Sequence, residues 1–216
     1  MRGKHLVIKC LLCVLFLISF FPLVADETFK TTTEDGKEID LDVPYVPTPE
    51  PVVEAMLKLA EVKKGDVVYD LGCGDGRIVV TAAKKYGVKG IGIDLDPDRV
   101  KESKENVKQN KVENLVTIKE GNVLKTDVSK ASVVTLYLFP HVNLLLRPIL
   151  QKQLKPGSRI VSHAFDMGDW EPEKQVTIMH EDRSYDIYLW RIPEKGAKKK
   201  ASEPEKKETS SQKPQI

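Results

Sequence analysis

The chain of 216 residues holds 34 Lys and Arg against 32 Asp and Glu, a formal net charge of +2, and 41% hydrophobic residues. That length suits one compact domain of about 100–200 residues with appendages, and the apolar content is enough for a packed core. The charge is uneven: the first 25 residues and the last 23 each carry +3, which leaves residues 26–193 at −4, and a domain that grips phosphates is usually basic on at least one face, so nucleic acid is disfavoured as a substrate.

Residues 1–25 open with Arg2, Lys4 and Lys9 and no acid, continue as an apolar run from Cys10 to Val24 broken by Ser19 and Pro22, and end at Ala25 before Asp26 and Glu27. This is the layout of a secretory signal peptide cleaved after Ala25, with an uncleaved membrane anchor as the alternative. The apolar run of 15 residues falls short of the roughly 20 that a transmembrane helix needs. Both versions keep the positive end inside and send the remainder outward, so an exported or membrane-associated protein is expected. A processed chain keeps one cysteine, Cys73, which excludes an intrachain disulfide and a zinc site built on cysteines; no metal is expected.

Residues 26–43 are polar and rich in threonine and read as a linker. The folded domain is expected over 44–193. Thr48 followed by Pro49 predicts a helix start, with the hydroxyl as N-cap, and Val52, Val53, Met56, Leu57 and Ala60 form the apolar face that follows. Val67 to Leu71 is a strand, Ile78 to Tyr86 a helix, Gly90 to Asp94 a second strand, Pro97 to Asn110 a charged helix and Val116 to Glu120 a third strand. A fourth strand over Val133 to Phe139, a leucine-rich helix over Leu144 to Leu154 and a fifth strand over Arg159 to His163 continue the alternation. Strands alternating with helices imply a parallel, doubly wound sheet whose right-handed crossovers bring every strand's C-terminal end to one edge. The last two strands, Val176 to His180 and Tyr185 to Ile192, are separated by the four residues Glu181 to Ser184, too few for a crossover, so they form an antiparallel hairpin. Residues 194–216, dominated by Lys, Glu, Ser, Pro and Gln, bury too little surface to fold and read as a disordered tail.

The chemistry centres on Asp70-Leu71-Gly72-Cys73-Gly74-Asp75-Gly76-Arg77, between the first strand and the helix after it. Glycine at alternate positions suits a loop that turns sharply and lets a nucleotide approach its backbone. A dinucleotide fingerprint spaces its glycines G-x-G-x-x-G, whereas Gly72, Gly74 and Gly76 give G-x-G-x-G. Asp94 lies 24 residues after Asp70 at the end of the second strand, where a carboxylate can accept both ribose hydroxyls; Asp96 is close enough to compete. The fourth and fifth strands end in Tyr137-Leu138-Phe139-Pro140-His141 and in Ser162 through Trp170, which includes His163 and Asp166.

The loop spacing, Asp94 and the terminal hairpin resemble the class I S-adenosylmethionine-dependent methyltransferases. Pro44-Tyr45-Val46-Pro47 and the loop end Gly74 to Ile78 are similar, more distantly, to the mitochondrial protein-lysine methyltransferases of the adenine nucleotide translocase or the ATP synthase c subunit. The resemblance runs from Pro44 to Trp170. It implies an α/β, Rossmann-like seven-stranded fold, a parallel sheet with a terminal antiparallel β-hairpin, and S-adenosylmethionine as cofactor. Asp70, Gly72, Gly74, Gly76 and Asp94 would bind that cofactor, with Asn122 where the family usually has an acid that contacts the adenine amino group. The family members that methylate adenine or glutamine carry N-P-P-Y or D-P-P-Y after strand four, and this chain does not.

The resulting expectation is an S-adenosylmethionine-dependent methyltransferase acting on a protein lysine, as a monomer. A small molecule or lipid is the alternative acceptor. A nicotinamide oxidoreductase or a non-catalytic cofactor-binding module is the alternative of another class. A lysine acceptor must lose a proton whose ordinary pKa is near 10.4. Tyr45, Tyr137 or Phe139 can hold the ammonium by cation-π contact, and Asp166 or His163 can take or relay the proton. Cys73, inside the loop, is expected to report cofactor occupancy through its alkylation rate. The cytosolic cofactor stands in tension with an exporting N-terminus.

Overall fold

The near-continuous apolar run Val67–Leu71 (β1) is an interior strand of a seven-stranded sheet, and its last four residues are buried, as a strand covered on both faces requires. The computed structural model describes residues 30–32, 38–40 and 44–194, and the chain divides into two compact units, 1–42 and 43–216. In the first unit, Lys30–Thr32 and Glu38–Asp40 pair antiparallel with Lys30 opposite Asp40, within the stretch read as a linker. The N-terminal segment over 1–25 and all of the tail beyond Glu194 lie outside the described residues. Among the described residues no helix is long and apolar enough to cross a membrane.

In the second unit the remaining strands are Lys89–Asp94 (β2), Val116–Glu120 (β3), Val133–Leu136 (β4), Arg159–His163 (β5), Lys174–His180 (β6) and Arg183–Arg191 (β7). Their order is β3-β2-β1-β4-β5-β7-β6. β1 to β5 run parallel, and β7 and β6 close the sheet antiparallel. The chain therefore reverses its direction of travel across the sheet at β1, with β2 on one side and β4 on the other. In an open α/β sheet the ligand crevice lies outside the strand C-termini at that switch point.

The helices are Glu50–Leu59 (α1), Arg77–Tyr86 (α2), Pro97–Gln109 (α3) and Pro140–Gln153 (α4). α1 buries Val52, Val53, Met56 and Leu57, the predicted stripe. Its N-cap is Pro49, without a side-chain cap bond; the expected cap, Thr48, sits one residue too early and its hydroxyl is used elsewhere. α4 begins four residues before Leu144 because Pro140 takes the first helical position, where its missing N–H costs nothing. β4 stops at Leu136, and Tyr137 to Phe139 leave the sheet, with Phe139 extended as the residue before a proline is. The hairpin turn is also tighter than predicted. Glu181 and Asp182 alone connect β6 to β7, with φ of 48° and 59°, a two-residue turn whose twist matches the strands. No α-helix joins β3 to β4, only the 3-10 turn Val123–Lys125. A cavity of about 270 Å³ lined by Tyr69, Ile91, Ile93 and Lys119 lies beside that connection, and none of the residues assigned to the cofactor lines it.

At the N-terminal ends of β1, β4 and β5 a buried cluster ties the strands together. The Asp66 carboxylate accepts from the Arg159 guanidinium, from Ser132 Oγ at 2.7 Å and from the Lys63 amide at 2.9 Å. Burial pushes the Asp66 carboxyl up, but the bonds from Ser132, Lys63 and Arg159 together hold it below its ordinary value.

Candidate active site

The loop after β1 is stapled to the end of β2. The Gly72 and Cys73 amides both donate to the Ile93 carbonyl, at 2.8 and 2.9 Å, and the Gly74 amide donates to Asp94 Oδ2 at 2.7 Å. Asp94 Oδ1 accepts the Asp96 amide at 3.1 Å, so both carboxylate oxygens are oriented. Burial, opposed by these amides, leaves the Asp94 carboxyl above its ordinary pKa. Asp96 is withdrawn from the competition. Its carboxylate caps α3, accepting the Asp98 and Arg99 amides at 2.7 and 3.3 Å.

Asp70 is 2% exposed and accepts Thr135 Oγ1 at 2.7 Å. Burial, reinforced by the charges of Asp94 and Asp75 and opposed by the Thr135 bond, pushes its carboxyl up to about 7. Gly72, Gly74 and Gly76 all have positive φ. At Gly74 a side chain is excluded twice, by φ of 53° and because a Cβ would stand 2.5 Å from Tyr45 Cε2. Tyr45 thus lies across the loop backbone, with the Arg99 guanidinium 4.6 Å from its ring centroid. Arg77 forks onto Asp75, Nε to Oδ1 at 2.9 Å and Nη2 to Oδ2 at 2.6 Å, and its Nη1 donates to the Thr48 carbonyl at 3.0 Å. The structure therefore places Tyr45 with the cofactor loop rather than with the rings at the ends of β4 and β5.

Those rings form a separate cluster. β4 and β5 pair with Leu136 opposite Ser162, which brings the next residues together: the Tyr137 and His163 rings lie 3.9 Å apart at 34°. Phe165 is 6.4 Å from both Tyr137 and Phe139, and Tyr185 is 5.7 Å from His163. Burial raises the Tyr137 hydroxyl pKa, with Tyr185 adding to it. His163 is 2% exposed, and burial lowers its pKa to about 4, so it is neutral near pH 7 and too weak a base to take the proton of a lysine ammonium. Asp166 is exposed, and its carboxylate accepts the Gly168 amide at 3.0 Å; none of its recorded bonds joins it to the rings. The two residues proposed from sequence for proton transfer are thus a buried neutral ring and a solvent-facing turn residue.

Asn122 departs from its expected role in part. Its Oδ1 accepts the Leu124 amide at 2.8 Å and caps the 3-10 turn, leaving one lone pair and the amide NH₂ for an adenine edge. The expectation for Cys73 fails: the thiol is 5% exposed, a Cβ on Gly92 would stand 2.8 Å from its Sγ, and burial raises its pKa far above the usual thiol range. It is inert packing, not an alkylation probe.

Sequence reasoning missed Asn143 in the first turn of α4. It is fully buried, and its Nδ2 lies 3.2 Å from Ser162 Oγ, 3.3 Å from the Phe165 carbonyl and 3.2 Å from the Asp166 carbonyl. It anchors the loop that carries Phe165. An amide among the leucines of a buried stripe was the available signal.

Residues 70–174 match the family model described as the ANTKMT methyltransferase domain. A protein-lysine N-methyltransferase of Saccharolobus islandicus (strain REY15A) is 45% identical over 153 residues, 70% of this chain and 95% of that protein. The Homo sapiens lysine N-methyltransferase of the ATP synthase c subunit is 30% identical over 131 residues, 61% of this chain and 55% of that protein. A crystal structure described as an RNA methyltransferase from Salinibacter ruber in complex with S-adenosyl-L-homocysteine is 50% identical, has a TM-score of 0.65, and matches 74% of this chain and 98% of that one. The oriented Asp94, the glycine backbone with no room for side chains and the crevice at the switch point suit S-adenosylmethionine, whose demethylated product S-adenosyl-L-homocysteine is bound in the Salinibacter ruber structure. With its fold, loop and relatives in agreement, the chain belongs to the class I S-adenosylmethionine-dependent methyltransferases, in one family with the Saccharolobus islandicus protein-lysine N-methyltransferase.

Proposed function

We propose that the chain N-methylates the ε-amine of a protein lysine, received by the ring cluster at the ends of β4 and β5. The observation that carries this reading is the cluster itself: Tyr137 and Tyr185 flank a histidine that burial keeps neutral, and Phe165 links Tyr137 to Phe139. Aromatic faces attract an ammonium, and removal from water lowers its pKa. S-adenosylmethionine supplies a methyl already activated on a sulfonium, so the protein's part is alignment rather than acid–base chemistry. In this reading the proton leaves to water, and neither His163 nor Asp166 acts as a base. Asp94 holds the ribose hydroxyls, Asn122 meets the adenine edge, and Asp70 with the backbone of Gly72 to Gly76 lines the remainder of the cofactor. The two lysine-methylating relatives support the acceptor class.

Methylation of RNA is a second reading, favoured by the description of the Salinibacter ruber structure. The net charge of −4 over residues 26–193 weighs against it. Lysate incubated with methyl-labelled S-adenosylmethionine and the purified chain separates the two. Label that resists ribonuclease, is lost to protease and is recovered as methyllysine after acid hydrolysis supports the lysine reading; label released by ribonuclease overturns it. From residues 1–25 we further infer export through a cleaved signal peptide or, as the alternative, membrane association, tested by protease accessibility in fractionated cells.

A further inference from the structure

The segment from Tyr45 to Thr48 touches both halves of the site. Tyr45 lies on the glycine loop, and the Thr48 carbonyl is held by Arg77, itself forked onto Asp75 of that loop. The Thr48 hydroxyl points the other way. It is placed where a helix cap is expected, yet the N-cap of α1 is Pro49 and no side chain caps the helix. Oγ1 instead lies 3.1 Å from Nδ1 of His163, 115 residues away, in a buried pair. His163 in turn has the Tyr137 ring at 3.9 Å on one side and Tyr185 at 5.7 Å.

We propose that Thr48 is a positioning residue of the acceptor site: its hydroxyl fixes the plane of the His163 ring, and through that ring the face that Tyr137 presents to the acceptor. Its carbonyl ties the same arrangement to the glycine loop. The acceptor chemistry rests on the lysine reading, whereas the coupling from Thr48 to Tyr137 does not. Two forms of the bond exist. Either the Thr48 O–H donates into Nδ1 and the ring proton sits on Nε2, or Nδ1–H donates to Oγ1. In both, the bond holds the imidazole in one orientation, because a hydroxyl can serve either tautomer. A ring fixed at 3.9 Å from Tyr137 leaves that side chain little freedom.

The test uses the full chain and compares Thr48→Val, which keeps the shape and loses the hydroxyl, with Thr48→Ser, which keeps the hydroxyl. Thr48→Ala serves if the valine variant does not fold. The hydroxyl-less variant should bind S-adenosylhomocysteine within about twofold of the parent, while kcat/KM for the acceptor falls about tenfold, chiefly through KM, and serine restores it to within about twofold. The nitrogen resonances of His163 and the ring resonances of Tyr137 should shift in the hydroxyl-less variant and return in Thr48→Ser. Combined with His163→Phe, loss of the hydroxyl should cost nothing further, because its effect passes through that ring. The proposal is overturned if the His163 and Tyr137 resonances stay put, or if removing the hydroxyl costs as much in the His163→Phe background as alone. If the parent labels RNA and not protein, the lysine reading falls, and the same variants assayed on RNA still decide the role of Thr48.

Discussion

The two edges of the sheet use the same residue types to opposite ends. At the N-terminal edge, Asp66 is met by Arg159, Ser132 and a backbone amide, and its carboxyl is held below its ordinary pKa. At the C-terminal edge of the same strand, Asp70 has Thr135 but no cation among its pKa-shifting neighbours, only Asp94 and Asp75, and its carboxyl rises to about 7. The first arrangement is closed and serves stability. The second keeps polar groups under-compensated where a ligand completes them, as functional sites do.

The largest effect should come from breaking the closed edge. Arg159→Ala leaves a buried carboxylate without its partner and should cost about 3–5 kcal/mol of unfolding free energy by urea titration, while S-adenosylhomocysteine affinity measured below the transition stays near that of the parent. Next, Asp94→Ala removes the acceptor of the Gly74 amide and of the ribose hydroxyls, and calorimetry should show affinity falling about 100-fold, or about 2.7 kcal/mol. Affinity within threefold of the parent would move the ribose to another residue.

Asp70→Asn sharpens the contrast through pH. Because the folded carboxyl titrates near 7 and the unfolded one near 3.9, the folded state binds more protons between those values and stability falls as pH rises through that window. Asparagine removes this slope. Ligand-free Asp70→Asn should be more stable than the parent at pH 8 by on the order of 2 kcal/mol, once the weakened Thr135 bond is counted, and the advantage should reverse by pH 4, where only the lost bond remains. Thermal unfolding across pH reads it, and parallel curves for the two proteins would remove the assignment. The smallest effects separate the two tyrosines: Tyr45→Ala should weaken cofactor binding a few-fold, and Tyr137→Ala should raise the acceptor KM about fivefold with cofactor affinity unchanged. The reverse pattern would exchange their roles.

Much of the cofactor half was readable from the chain because its signals are local. The apolar run into Asp70, the alternate glycines and the acid ending β2 are patterns of neighbours in sequence, and the structure joins them by the Gly74 to Asp94 bond. The acceptor half was less readable. His163 and Asp166 invited a reading as bases from residue type alone, and only the structure shows that one is buried and the other exposed. Asn143 went unnoticed because its partners, Ser162 and the backbone at Phe165 and Asp166, lie 19 to 23 residues away.

Periodicity, turn chemistry and glycine spacing were enough to establish the sheet, its helices and the place of the cofactor loop, since each depends on residues within a few positions of one another. Tertiary structure alone decided which way Thr48 and Tyr45 face. A hydroxyl that local rules assign to a helix cap turns instead to His163, 115 residues on, because two buried polar atoms that meet across the fold satisfy each other, and no local pattern records that meeting.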